Sequence, residues 1–419
     1  RNGWGHYYLY DTATGNLKNQ VTDGTWVAGP IAKIDTVGRK FYFYGYGREK
    51  SIDPYYYILY EAKLDQLNAI RLLTPENASH EARISPSNHY IVDSYSTVSQ
   101  EPVNVVRNSR GKVVMKLEKP DLQPVYEMGW KAPERFKVKA ADGVTDLYGV
   151  MWKPADFDST KVYPIISNVY PGPFFEYVPT RFTVNDVYNT RLAQLGFIVI
   201  TVGHRGGTPM RGKAYHTYGY NNMRDYPLAD DKYAIEQLAA RYPFIDGTKV
   251  GIYGHSGGGF MSAAAICTYP DFYSAAVSSA GNHDNRIYNK GFVEIHFGVD
   301  EKVKTGKDSL GVEHTTYDYS VRVRPNQELA KNYKLLFTGA VDNTVNPANT
   351  LRLVHALIKA DKDFDMFVLP KCTHGFFGES EVFFEHKMWR HFARLLLNDH
   401  SADADIDLNK YMIEDERRR

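Results

Sequence analysis

The chain has 419 residues, with 50 Lys plus Arg against 49 Asp plus Glu and a formal net charge of +1. That balance excludes the one-signed field on which binding to nucleic acid or an anionic membrane depends. Hydrophobic residues make up 43% of the chain, yet no apolar run approaches ~18 residues, so no membrane-spanning helix is expected.

This length suits two to three domains. The 32 Tyr are the compositional oddity and suit sheets with one wet face. Cys267 and Cys372 read as two unpaired thiols, although a single bridge could form in an exported protein. No Cys/His cluster has metal-ligand spacing, and no cofactor is expected. Asn77-Ala78-Ser79 fits the glycosylation acceptor pattern, which also arises often by chance. The compartment stays open, with the periplasm or another exported location favoured.

The chain opens Arg1-Asn2-Gly3-Trp4, without an initiator Met or signal peptide, and reads as the middle of a β-domain. A longer precursor is therefore expected. Residues 1–120 are strand-like, with runs at 7–11, 40–45, 55–60, 70–75, 82–86, 90–95, 103–107 and 113–117. Turn signals at near-even spacing between them suggest a sandwich or propeller blades, about two to three at four strands each. No helical period appears there.

A boundary falls near Lys119-Pro120-Asp121-Leu122, and residues 121–400 change character. Runs at 136–139 and 147–152 flank Ala141-Asp142-Gly143 and predict a hairpin. Strand and helix patterns then alternate. Strands are predicted at 165–170, 197–202, 250–253, 275–277, 335–338 and 366–370, and helices at 184–195, 228–241, 260–267, 351–359 and 382–397. Such alternation predicts a mostly parallel sheet covered on both faces. The tail, 401–419, is acidic and then basic and reads as a solvated end.

Gly254-His255-Ser256-Gly257-Gly258 fits Gly-x-Ser-x-Gly between a β-run and an Ala-rich helix, the setting of a nucleophile elbow on an α/β-hydrolase sheet. The turn is too tight for side chains beside the Ser. The following helix aims its first N–H groups at a developing oxyanion. In this fold an acid and then a His follow the Ser along the chain. Asp342 ends the run at 335–342, and His374 follows the next strand. Asp361, Asp363 and Asp365 precede that strand and would sit at the wrong end of the sheet. His255 abuts the Ser but reads as structural. A second oxyanion donor should come from an earlier strand end, where Tyr170 is one candidate among many tyrosines.

On these motifs the sequence resembles the prolyl oligopeptidase family of serine peptidases, and most closely the dipeptidyl-peptidase IV branch. The resemblance covers nearly the whole chain. Residues 2–10, Leu73-Thr74-Pro75, Ile84-Ser85-Pro86 and Asp93-Ser94-Tyr95-Ser96 resemble late propeller blades of that branch. Val169-Tyr170-Pro171-Gly172-Pro173 resembles its oxyanion-tyrosine segment, and Gly203-His204-Arg205-Gly206-Gly207 its Gly-Arg-Gly loop.

The resemblance implies an α/β-hydrolase domain behind a propeller, with Ser256, Asp342 and His374 as the triad. It also implies Tyr170 and the Gly257 N–H as oxyanion donors, and cleavage of short peptides after Pro or Ala near a free N-terminus. Tyr288 and Phe292 fall where pocket aromatics are expected. Two departures stand out. Gly257 replaces a Tyr common after the nucleophile, and Asp342-Asn343-Thr344-Val345 replaces Asp-Asp-Asn-Val, so Thr344 stands where an Asn would bind the substrate carbonyl. The paired glutamates that grip a free amine would lie in earlier blades, expected before Arg1. A homodimer is left open.

The same triad would also serve an esterase or acyl-peptide hydrolase, because fold does not dictate substrate. A reading from another class is an inactive propeller-based binding protein, against which the complete Ser, Asp and His set argues.

Overall fold

The structure is a computed structural model and describes residues 2–174, 176–184, 187–329 and 334–400. The tail at 401–419 and residues 185–186, within the helix expected at 184–195, lie outside the described residues.

The N-terminal part is all β. A ribbon of β1 (Tyr8–Tyr10) and β2 (Leu17–Gln20) precedes two four-stranded antiparallel meanders. The first comprises β3 (Val27–Asp35), β4 (Lys40–Tyr46), β5 (Ile58–Lys63) and β6 (Ile70–Leu72). The second comprises β7 (Ser79–Ile84), β8 (Tyr90–Ser96), β9 (Val103–Asn108) and β10 (Val113–Lys116). The period of two explains how β4 spends its aromatic run. Phe41 and Phe43 pack with Trp26 and Tyr60 on one face, while Tyr42 turns the other way and clusters with Leu59 and Leu73 of its own meander and Ile91 of the second. The strand expected from Tyr55 starts three residues later. Asp53 Oδ1 accepts the Tyr55 N–H and holds the Asp53-Pro54 corner as a turn.

After a short helix α1 (Gln123–Glu127), the predicted hairpin forms from β11 (Glu134–Lys139) and β12 (Asp146–Trp152), paired from Glu134↔Met151 to Lys139↔Asp146. The chain continues through β13 (Tyr163–Asn168), α2 (Val187–Gln194), β14 (Ile198–Val202), the single turn α3 (Lys213–His216) and α4 (Leu228–Arg241). Next come β15 (Ile245–His255), α5 (Gly257–Thr268), β16 (Tyr273–Ser279) and α6 (Lys290–Phe297). A hairpin of β17 (Val299–Lys307), itself almost wholly exposed, and β18 (Glu313–Val321) leads to β19 (Lys334–Gly339), α7 (Ala348–Lys359), β20 (Phe364–Leu369) and α8 (Glu379–Phe392).

One eight-stranded sheet has the order β11-β12-β14-β13-β15-β16-β19-β20, parallel from β14 to β20. Every residue of β13 and β14 is buried, as strands covered on both faces require. Ile165, Ile198, Ile200 and Ile252 meet Ala234, Ile235 and Leu238 of α4 and Met261 and Ala264 of α5. On the opposite face Ile166, Val199 and Val277 meet Leu192 of α2 and Phe384, Met388 and Phe392 of α8. Burying such Leu, Ile and Phe side chains contributes roughly 1.5–3 kcal/mol each, which locks the sheet between its helices. The strand order doubles back at β13, so the carboxyl ends there open the crevice in which this class of sheet holds ligands.

The two parts grip each other through charge and aromatic packing. Arg135 of β11 makes a bidentate contact with Asp53, at 2.9 and 3.1 Å. Arg181 reaches Glu81 at 2.9 Å and the His80 carbonyl at 3.1 Å. The segment after Tyr170 is thus tied to the second meander. Within it Glu176 is half-buried, accepts the Tyr215 hydroxyl and lies beside Tyr55 and Arg211; loss of hydration pushes its carboxyl up. Cys267 and Cys372 are both buried and unpaired.

Candidate active site

Ser256 sits between the end of β15 and the first residue of α5, at φ 57° and ψ −119°. A non-Gly residue there stores on the order of 1–3 kcal/mol of backbone strain. Neighbours hold it in place: its N–H donates to the Ser279 carbonyl at 2.8 Å, and its carbonyl accepts the Phe260 N–H at 3.0 Å. The flanking glycines answer to close approach. A Cβ on Gly254 or Gly258 would run into the Val169 carbonyl.

Asp342 and His374 come from the loops after β19 and β20. Those loops interlock, with Ala340 N–H on the Leu369 carbonyl at 3.0 Å and Val341 N–H on the Cys372 carbonyl at 3.2 Å. The structure brings the three residues into one chain of hydrogen bonds. His374 Nε2 is 2.9 Å from Ser256 Oγ, and His374 Nδ1 is 2.9 Å from Asp342 Oδ2. An ionised carboxylate only accepts, so Nδ1 carries the proton and Nε2 is left to accept from the serine. Asp342 is buried, and its Oδ1 takes the N–H groups of Thr344 at 2.9 Å and Val345 at 2.8 Å.

Thr344 and Val345 therefore serve Asp342 through their backbones. The Thr344 side chain is exposed, whereas Val345 is buried. Tyr170 follows β13, and the Pro171 carbonyl lies against Gly257, 3.2 Å from where a Cβ would stand. Tyr288 and Phe292 pack edge to face at 5.5 Å. Burial, then the nearby Tyr170 and Asp342, push the Tyr288 phenol above its ordinary value.

His255 lies beneath His374, ring centroids 4.8 Å apart, with Nδ1 2.6 Å from Ser279 Oγ. Burial, with His374 beside it, lowers its pKa to about 4, so it stays neutral at physiological pH. Sequence reasoning missed the aromatics that extend the Tyr288 wall. Phe174 packs on Phe292 at 5.9 Å and on His296 at 5.2 Å. The apolar pair after Pro173 was the available signal. Among the described residues no group of three His, Cys, Asp or Glu could hold a metal ion.

The family model described as the prolyl oligopeptidase family matches residues 184–399, more than half of the chain. The chain belongs to the prolyl oligopeptidase family of serine peptidases. Residues 1–102 match the N-terminal region of dipeptidyl peptidase IV, which puts this family member on that branch. It is 26% identical to dipeptidyl peptidase 8 of Homo sapiens over 375 residues, covering 84% of this chain and 39% of the relative. Dipeptidyl peptidase 8 of Mus musculus is equally similar, with 40% of the relative covered. The peptidase chain thus spans about two fifths of the length of these curated relatives.

Two solved bacterial structures share its fold over 94% of this chain. A dipeptidyl aminopeptidase IV-like chain of Bacteroides ovatus superposes with TM-score 0.78 at 24% identity, over 56% of that chain. Dipeptidyl peptidase 4 of Porphyromonas gingivalis superposes with TM-score 0.76 at 21% identity, over 53% of that chain.

Proposed function

We propose that this chain carries the acyl-transfer centre of a peptidase that cleaves short peptides, with Ser256 as nucleophile, His374 as general base and acid, and Asp342 as its orienting carboxylate. The reading rests on the unbroken hydrogen-bond chain from Ser256 through His374 to Asp342. In the first step Ser256 Oγ bonds to the peptide carbonyl carbon and its proton passes to His374 Nε2. The tetrahedral oxyanion is held by the Gly257 N–H at the start of α5 and by the Tyr170 hydroxyl. Collapse breaks the C–N bond, and His374 returns the proton to the departing amine. Water then repeats the sequence on the acyl-enzyme and frees Ser256.

The names of the relatives support release of dipeptides from a free N-terminus. Tyr288 and Phe292 supply a wall of the right kind for Pro or Ala before the cut bond, and the exposed Thr344 hydroxyl is what remains there for a substrate carbonyl. The test has two arms. A fluorophosphonate should label Ser256 and no other residue, and an alanyl-proline amide should be hydrolysed with kcat/KM above that of an acylated peptide of the same sequence. Absence of labelling removes the nucleophile. Labelling with turnover of aryl esters alone would point to an esterase.

A further inference from the structure

A cavity of about 500 Å3 lies away from the reacting side chains, within the ~300–1,000 Å3 of small-ligand sites. Its walls are one face of α7, the turn Asn285–Ile287 that leads to Tyr288, and the turn Asn326–Leu329. None of Ser256, Asp342, His374 or Tyr288 lines it. Arg352, His355 and Lys359 recur along α7 at the three- and four-residue spacing of a single helix face, and Arg286 joins them from the first turn.

Asp284 is the one acid in this lining among the described residues, and it is fully buried. Arg286 grips both of its oxygens, at 2.7 and 2.8 Å, and Arg352 reaches Oδ2 at 2.7 Å. The carboxylate thus fixes two guanidiniums and neutralises one. Arg286, Arg352 and Lys359 set three fixed cations against it, an excess of two positive charges. Glu328, which also acts on Arg286, is paired with Arg224 at 3.0 Å. Neither Lys359 nor His355 has an ion-pair or hydrogen-bond partner among the described residues.

A basic helix face by itself is an ordinary solvated surface. Gln327 sets this one apart. Both polar atoms of its side-chain amide are buried, and neither has a hydrogen-bond partner. Folded proteins satisfy nearly all such groups, so an unsatisfied amide in a cavity wall marks a place where a polar partner belongs. Ala348, Leu351 and Ala356 add an apolar side to the same cavity. The Asp284 N–H also donates to Asn349 Oδ1 at 2.9 Å, which ties the cavity floor to the first turn of α7.

We propose that this cavity binds a small phosphate monoester, with the phosphate held by Arg286, Arg352 and Lys359 and the organic part laid on Leu351 and Ala356. A phosphate monoester carries close to two negative charges at neutral pH, which matches the excess in the cavity, whereas a carboxylate carries one. Its oxygens suit the planar fork of arginine N–H groups. Asp284 holds two of those forks in place beforehand, so little side-chain freedom is lost on binding. The inference stands apart from the peptidase reading, because binding is measured whether or not a substrate is cut.

The test is isothermal titration of the protein with phenyl phosphate, phenylacetate and inorganic phosphate at low salt. Phenyl phosphate should bind one to one, roughly tenfold more tightly than phenylacetate because of its second charge. It should also bind about fivefold more tightly than inorganic phosphate, which has no ring to lay on Leu351. Lys359→Glu changes an exposed residue with no partner to lose, and should weaken phenyl phosphate by about tenfold or more. Absence of phenyl phosphate binding in the millimolar range overturns the site. Unchanged affinity in Lys359→Glu overturns it as well, since the anion would then lie on another surface. Equal affinity for phenylacetate overturns the phosphate assignment, and equal affinity for inorganic phosphate overturns the monoester.

Discussion

The Val169 carbonyl oxygen occupies the space that a Cβ on Gly258 would need, whereas next door Gly257 leaves a Cβ 3.2 Å from the Pro171 carbonyl. Two adjacent helical glycines are thus predicted to behave oppositely. Gly258→Ala sets backbone against backbone and should lower stability by about 1–3 kcal/mol or more. At Gly257 a few tenths of an ångström of give suffices, and the helix gains up to about 1 kcal/mol from losing a glycine. Thermal unfolding of both variants checks this. Similar midpoints for the two would contradict the elbow geometry.

Ser256 is predicted to be costly to the fold and indispensable to turnover. Ser256→Ala keeps the strain and should leave stability almost unchanged while removing nearly all activity. Ser256→Gly relieves the positive φ and should stabilise by about 1 kcal/mol, also without activity. Retention of more than a few per cent of turnover in either variant refutes the nucleophile.

Tyr170→Phe keeps the ring and removes only the hydroxyl. Loss of one oxyanion donor costs about 10²–10³ in kcat. The expected outcome is that drop with KM little altered, measured on a proline amide. An unchanged kcat would leave the Gly257 N–H as the donor that matters.

Stability should fall as pH drops from about 6.5 to about 4. Burial lowers both His255 and His391 to about 4, below the ordinary His value of 6.5. Between those values the unfolded chain binds protons that the folded chain refuses. Each group then removes up to about 1.4 kcal/mol per pH unit, and the loss levels off below the folded value. Urea unfolding at pH 4.5, 5.5 and 7 measures the slope. His391→Leu should flatten it by as much as one proton, and a slope unchanged in that variant would count against the buried neutral ring.

Asp53 and Arg135 join the two parts of the chain, with side chains 9% and 14% exposed. Asp53→Ala strands the guanidinium among Tyr55, Tyr56 and Tyr148 and is expected to cost about 3–5 kcal/mol. Asp53→Ala combined with Arg135→Met should recover part of that. Additive losses in the double-mutant cycle would mean that the two residues do not depend on each other.

How much of this was legible beforehand follows from range. Local rules reach a few residues, and they sufficed for α4, which spans Leu228–Arg241 as its periodicity predicts, and for the Asp142-Gly143 hairpin. The same rules marked Ser256 through the glycines its turn demands. They also proposed Asp342 and His374 through chain order. They did not find the β17–β18 hairpin, whose first strand, Val299–Lys307, is almost wholly exposed and carries little apolar alternation. Nor did they separate a Tyr that lines the site from 31 others, since composition says nothing of neighbours. Thr344 was read by its side chain, yet it is the backbone N–H groups of Thr344 and Val345 that hold Asp342. The sequence by itself thus determined the sheet and the elbow, and it picked out the three side chains that one chain of hydrogen bonds joins. Only the tertiary structure decided what surrounds them, because the aromatic wall is assembled from residues far apart in the chain, which local periodicity does not relate.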